Sequence, residues 1–124
     1  MGMNIVEKIM ARASGAPVVK PGDLVVVGVD TVVLYDGNFF PAYWRELTSI
    51  KNPDSVIVVF DHRVPAPDRT CATAHGVGRK FVEKFGIKRF HDIGRDQGIS
   101  HVIVAQHGYA LPGTVLVCSD SHTG

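Results

Sequence analysis

Two places in this chain set a carboxylate beside an imidazole directly after an apolar, β-branched run. One is Asp61-His62, which follows the run 55–60; the other is Asp120-Ser121-His122, which follows 115–118. An aspartate that accepts from one imidazole nitrogen fixes the tautomer and raises the basicity of the other. General acid–base catalysis near neutral pH uses that arrangement. Residues i and i+2 of an extended chain share a side, so Asp120 and His122 face the same way if the backbone stays extended. Asp61 and His62 cooperate best if the chain turns there. The plain alternative is that such groups only hydrogen-bond their own loops, and two pairs on one small domain weigh against it. His101 follows a glycine-bounded loop. His75 reads as a helix-surface residue, and His91 and His107 as loop residues, without comparable context. Two histidines and an aspartate would suffice for a small zinc hydrolase built on His62, Asp120 and His122. Their spacing matches no HExxH-type ligand motif. Ser121 lacks the G-x-S-x-G context of a hydrolase nucleophile.

The elements that must position these groups follow from periodicity. Asn4 can cap a helix, with Glu7 three residues on, and Gly15 and Pro17 stop it. The segment 20–23 is a turn. The β-branched runs 24–29 and 31–34, around Asp30, read as two strands or one bent strand. Pro41 is tolerated at the start of a short helix over 41–47. The run 55–60 is the clearest strand, ending on Asp61-His62. A helix capped by Asp68 or Thr70 runs to Phe85 and stops at Gly86; Gly76 and Gly78 inside it suggest close packing against another backbone, or a break. A short strand over 88–92 and a loop over 94–98 follow. The segment 99–106 suits either a strand or a short helix. A turn at 111–113 leads into a final strand over 114–118. Strands alternating with helices predict an α/β domain, 1–124, with a mostly parallel sheet and helices on both faces. In such sheets ligands sit outside the carboxyl ends of the strands.

The chain has 124 residues, 45% of them apolar and 20% charged, with a net charge of +1, which is the profile of an ordinary soluble domain. No Lys/Arg run gives a nucleic-acid footprint, and no apolar stretch is long enough for a membrane span. The N-terminus carries no hydrophobic signal core. The two cysteines, Cys71 and Cys118, form no CxxC and read as packed, reduced thiols. These features together predict a cytoplasmic protein.

Several stretches, in order and at matching spacings, resemble one family. The run 119–123, Ser-Asp-Ser-His-Thr, resembles the (G/T)DSHT motif of the aconitase superfamily. Phe60-Asp61-His62 is similar to its (M/F)DH motif, and Gly98-Ile99-Ser100-His101 to its GI-x-H. The opening around residues 5–9 and 21–23, the segment 101–108, Leu111-Pro112-Gly113 and Val117-Cys118 resemble the N-terminal segment of the 3-isopropylmalate dehydratase large subunit. The resemblance implies a hydro-lyase of amino-acid biosynthesis that dehydrates or isomerises a hydroxy di- or tricarboxylic acid. It implies a [4Fe-4S] cluster whose open iron acts as a Lewis acid, and a base serine on a swivelling domain or small subunit. It further implies that His62 with Asp61 protonates the leaving hydroxyl and that His101 pairs with Asp120. Asp120 and His122 would hydrogen-bond the iron-bound water or hydroxyl, and Ser121 would lie near substrate. Tyr35 stands where aconitases have a substrate-binding Gln and isopropylmalate enzymes a His, so it would donate to a substrate carboxylate. Gln106 replaces a family Glu and Ser119 a glycine. The cluster cysteines belong to a later segment, so no metal ligand is expected here, and the chain alone is expected to be inactive and to self-associate through uncovered apolar surface. A non-catalytic, truncated aconitase-like binding module is the alternative.

Overall fold

The computed structural model describes residues 2–94 and 96–123; Arg95 of the expected 94–98 loop and Gly124, the end of the expected 1–124 domain, lie outside them. Helix α1 spans Ile5–Ser14. Asn4 caps it by accepting the Glu7 N–H while the Glu7 carboxylate accepts the Asn4 N–H, and Gly15, in the left-handed region, ends it. Strand β1 is Thr31–Tyr35, β2 is Val56–Val59, α2 is Arg69–Phe85, β3 is Arg89–His91, α3 is Ser100–Gln106 and β4 is Leu116–Cys118. The four strands form one parallel sheet in the order β3-β2-β1-β4. The chain steps outward from β1 to β2 and β3 and then returns to the other side of β1. The strand order therefore reverses beside β1, and a crevice opens at the carboxyl ends there.

Strand β2 is buried along its whole length, and its alternating side chains divide the core. Val56, Val58 and Phe60 pack with Ala74 and Phe81 of α2 and with Phe39. Ile57 and Val59 pack with Val33 of β1 and Ile103 and Val104 of α3. The two faces of one strand thus seat one helix each, which is the expected layered α/β fold. Asp68 caps α2 by accepting the Cys71 N–H. Gly78 marks the close approach: a Cβ there would come within 2.6 Å of Phe60 and 2.9 Å of Phe39. Gly76 has open space beside it, so only one of the two helix glycines is demanded by packing.

Several expectations are corrected. The run 24–29 is not a strand. It pairs with none of the four strands, both sides of β1 being taken by β2 and β4, and Leu24 and Val26 stand in solvent. The segment 41–47 forms one turn, in which Trp44 N–H donates to the Phe40 carbonyl. It does not propagate as a helix, because the Trp44 ring packs on Phe39 and Phe81 and the Leu47 carbonyl accepts from Lys84. Strand β1 extends to Tyr35 and gives way to an unforeseen 3₁₀ turn, Asp36–Phe39. The ambiguous 99–106 segment is a helix whose Ile103 and Val104 meet the sheet. Cys71 is buried, Cys118 half-buried, and both are free thiols. Among the described residues no helix is long and apolar enough to cross a membrane.

Candidate active site

Three strand ends and one helix start meet at the crevice. β1 delivers Tyr35 and Asp36, β2 runs through Phe60 into Asp61-His62, β4 runs into Asp120-Ser121-His122, and α3 opens with Ser100-His101. Asp61, His62, Ile99, His101, Asp120 and His122 line one cleft of about 210 Å³. A larger hollow of about 610 Å³, bounded by Val32, Leu34, Ile50 and Val56, carries none of the candidate residues.

The chain turns directly after β2, and Asp61 and His62 do cooperate: Asp61 Oδ1 lies 2.8 Å from His62 Nδ1. The other Asp61 oxygen accepts the Ser100 N–H at 2.6 Å, which ties the start of α3 to the end of β2. His62 Nε2 lies 3.0 Å from Asp120 Oδ2. Both ring nitrogens of His62 therefore face carboxylate oxygens. An ionised carboxylate only accepts, so both contacts are hydrogen bonds only when both nitrogens carry protons. The Asp61 hydrogen bond leads in raising the His62 pKa above its ordinary value, and burial opposes it in part. The His62 side chain is 42% exposed, whereas those of Asp61 and Asp120 are 4% and 3% exposed. The proton is thus presented by the one member of the trio that solvent and ligands can reach.

Asp120 is the hub. His101 Nε2 lies 2.8 Å from its Oδ1, which also accepts the His122 N–H at 2.9 Å. The His101 hydrogen bond, then the His122 amide, hold the Asp120 carboxyl far below the usual carboxylate range. The accepted amide bends the chain at Asp120, so the extended geometry expected for Asp120 and His122 is absent. His122 instead projects outward, with its Nδ1 3.4 Å from Asp120 and 3.2 Å from the Ser121 hydroxyl. The Tyr35 ring lies 4.6 Å from the His62 ring, centroid to centroid. Burial first, and then the negative charge of Asp120, raise its pKa, so the phenol remains a donor. Any side chain at Gly37 would overlap the Tyr35 ring.

All seven expected site residues, Tyr35, Asp61, His62, His101, Asp120, Ser121 and His122, stand at this pole. Asp36 was not singled out from sequence. It is fully buried, and its carboxylate accepts the N–H groups of Asp61 and His62 at Oδ1 and of Arg63 at Oδ2, at 3.0–3.1 Å. A carboxylate directly after a strand and before Gly37 was the available signal. Asn38 was also missed; its side-chain amide exchanges hydrogen bonds with Ser119 across the β1 and β4 ends, at 2.8 and 3.0 Å.

His75 and His91 are neither helix-surface nor loop residues, because both are buried. His75 stacks on Phe60 under α2, and His91 ends β3.

Asp36, Asp61 and His62 bring potential ligand atoms within 4.8 Å of one another. Each of those carboxylate oxygens already accepts an N–H, so the trio is tied together as a hydrogen-bond network. The same holds for Asp120, whose oxygens are taken by His62, His101 and the His122 amide. A [4Fe-4S] cluster with three protein-held irons needs three thiolates. This chain has two cysteines, one of them buried in α2, and does not by itself offer a cluster site.

Residues 46–124, which hold every convergent imidazole and carboxylate except Asp36, match the family model described as Aconitase family (aconitate hydratase). The chain belongs to the aconitase family. It is similar to the 3-isopropylmalate dehydratase large subunit of Mycolicibacterium smegmatis, with 45% identity over 99% of this chain and 29% of that protein. It is also similar to 3-isopropylmalate dehydratase large subunit 1 of Methanopyrus kandleri, at 36% over 99% of this chain and 30% of that protein. The methanogen homoaconitase large subunit of Methanocaldococcus jannaschii is 40% identical over 98% of this chain and 29% of that protein. The chain thus spans under a third of these curated relatives and matches their N-terminal part.

Proposed function

We propose that this chain is the N-terminal segment of an aconitase-type hydro-lyase large subunit, forming part of an α/β domain, and that its share of the chemistry is acid catalysis. The observation that carries this is His62, held between Asp61 and Asp120 at the mouth of the cleft. Dehydration breaks a C–H bond and the C–O bond of the adjacent carbon, forms C=C and releases the hydroxyl as water. The departing hydroxyl needs a proton. An imidazolium kept charged by two buried carboxylates supplies it, and Asp61 steadies the ring through Nδ1. Asp120 orients His62 and His101 together. The exposed His122 ring and the Ser121 hydroxyl are suited to substrate contact, and the Tyr35 phenol to a substrate carboxylate.

The names of the relatives support a hydroxy di- or tricarboxylic acid as substrate. The departures at Tyr35, Gln106 and Ser119 make the particular acid a question for a substrate panel. In the complete enzyme, a [4Fe-4S] cluster held by other polypeptide would supply the Lewis acid. The partners are the remainder of the large subunit and a small subunit or swivelling domain that brings the base; the exposed Leu24 and Val26 suit such contacts. Two free thiols fit a reducing cytoplasm.

The test is the complete large subunit, reconstituted with its small subunit and cluster. It is assayed on 3-isopropylmalate, citrate, homocitrate and dimethylmalate by absorbance of the unsaturated acid. His62→Asn lowers kcat by about 10²–10⁴-fold. A wild-type enzyme that dehydrates none of these acids, or a His62→Asn enzyme as active as wild type, would overturn the reading.

A further inference from the structure

We propose that Asp36 is a positioning residue for the acid: its buried carboxylate gathers the main-chain N–H groups of residues 61, 62 and 63 and fixes the turn that holds His62 against Asp61 and Asp120. The proposal rests on the reading of His62 as the acid. The distances are 3.1 Å to Asp61, 3.0 Å to His62 and 3.1 Å to Arg63. A fully buried carboxylate is costly unless hydrogen bonds compensate it. Here the compensation comes from three consecutive amides of one turn, and among the described residues Asp36 forms no ion pair with a basic side chain. The bond runs from the end of β1 to the turn after β2, so it sets where that turn sits against the neighbouring strand. A shift of that turn by a fraction of an ångström would part His62 from Asp120, which rides on the end of β4. Asp36 also adds negative charge beside the ring, along with Asp61 and Asp120; the Tyr35 phenol faces it too, and the His101 and His122 rings line the same cleft.

A neutral amide separates this role from simple space filling. Asp36→Asn keeps the shape and one acceptor oxygen, but removes the charge and sets an NH₂ against the Arg63 N–H, donor to donor. In the complete large subunit labelled at histidine, Asp36→Asn is expected to lower the His62 pKa by about half a unit to two units. In the reconstituted enzyme kcat falls about tenfold or more, the alkaline limb of the pH profile moves to lower pH, and KM changes little. Hydrogen–deuterium exchange of the wild-type protein is the second measurement, independent of any variant. The amides of residues 61–63 are expected to exchange slowly, like strand amides. A folded Asp36→Asn protein with unchanged His62 titration, kcat and pH profile would overturn the proposal, as would wild-type 61–63 amides that exchange like an exposed loop. An enzyme inactive on every acid removes the functional reading alone, because titration and exchange decide the role of Asp36 without turnover.

Discussion

Two groups of imidazoles sit at the carboxyl ends of the same parallel sheet, and they are built to opposite ends. In the crevice beside β1, His62 lies between two aspartates and His101 donates to one of them. At the outer strand β3, His91 is buried, with Nδ1 3.1 Å from the Asp96 carbonyl and Nε2 3.1 Å from the Tyr109 hydroxyl. A carbonyl only accepts, so Nδ1 donates to it, and the Tyr109 hydroxyl pairs with Nε2, which leaves both ring nitrogens satisfied inside the fold. His107 closes over it, stacked on Tyr109 and edge-on to His91. The same residue type at the same topological position is locked away in one case and, in the other, bridged by two carboxylates and reachable. A strand end alone does not make a site. The reversal of strand order opens the crevice, and the carboxylates set the protonation state.

The largest difference between the two groups is expected in turnover. While His62→Asn costs about 10²–10⁴ in kcat, His91→Gln should leave kcat of the folded enzyme within a few-fold. It should instead cost about 1–3 kcal/mol of stability, because the Tyr109 hydroxyl and Asp96 carbonyl lose their partner. Kinetics and urea unfolding on both variants check this; equal losses of kcat would erase the distinction.

The next effect is on pH. Asp61 leads in raising the His62 pKa, so Asp61→Asn lets the imidazolium deprotonate at lower pH, and the alkaline limb of kcat moves down the scale. Stability follows with opposite signs at the two groups. The raised pKa of His62 stabilises the fold below its unfolded value of about 6.5, and that contribution is lost as pH rises through the folded value. The lowered pKa of Asp120 stabilises the fold above its unfolded value of about 3.9, and that contribution is lost as pH falls through the folded value. Urea unfolding of wild type and Asp120→Asn should therefore show a gap that narrows as the solution is acidified below about pH 4. The smallest effect is Tyr109→Phe, which removes one neutral hydrogen bond to His91, costs about 1 kcal/mol and leaves the pH profile of kcat unchanged.

The parts of this architecture carried by local pattern were legible in the sequence. Asn4 with Glu7, Asp68, Gly15 and Gly86 announce helix ends through their own chemistry, and 55–60 announces a buried strand. Asp61-His62 and Asp120-Ser121-His122 were legible as residue types at strand ends. Their convergence needed the pairing order, which places β2 and β4 on either side of β1. What stayed hidden depended on partners that no residue type reveals. The run 24–29 has strand composition, yet it pairs with no strand of the sheet. His75 and His91 look like any polar residue until α2 and β3 are packed. Asp36 offered only its place after a strand and before Gly37, because its partners are backbone amides. The bridging of His62 by two carboxylates follows from a turn after β2 that the sequence left open.

The central claim is that His62 and Asp120, carried 58 residues apart on separate strand ends, act as one unit. The most direct measurement is a kinetic double-variant cycle in the complete enzyme, with His62→Asn, Asp120→Asn and both together. The account predicts that the double variant loses little more kcat than the worse single variant. Losses that multiply, each variant acting as though the other group were absent from its surroundings, would contradict it.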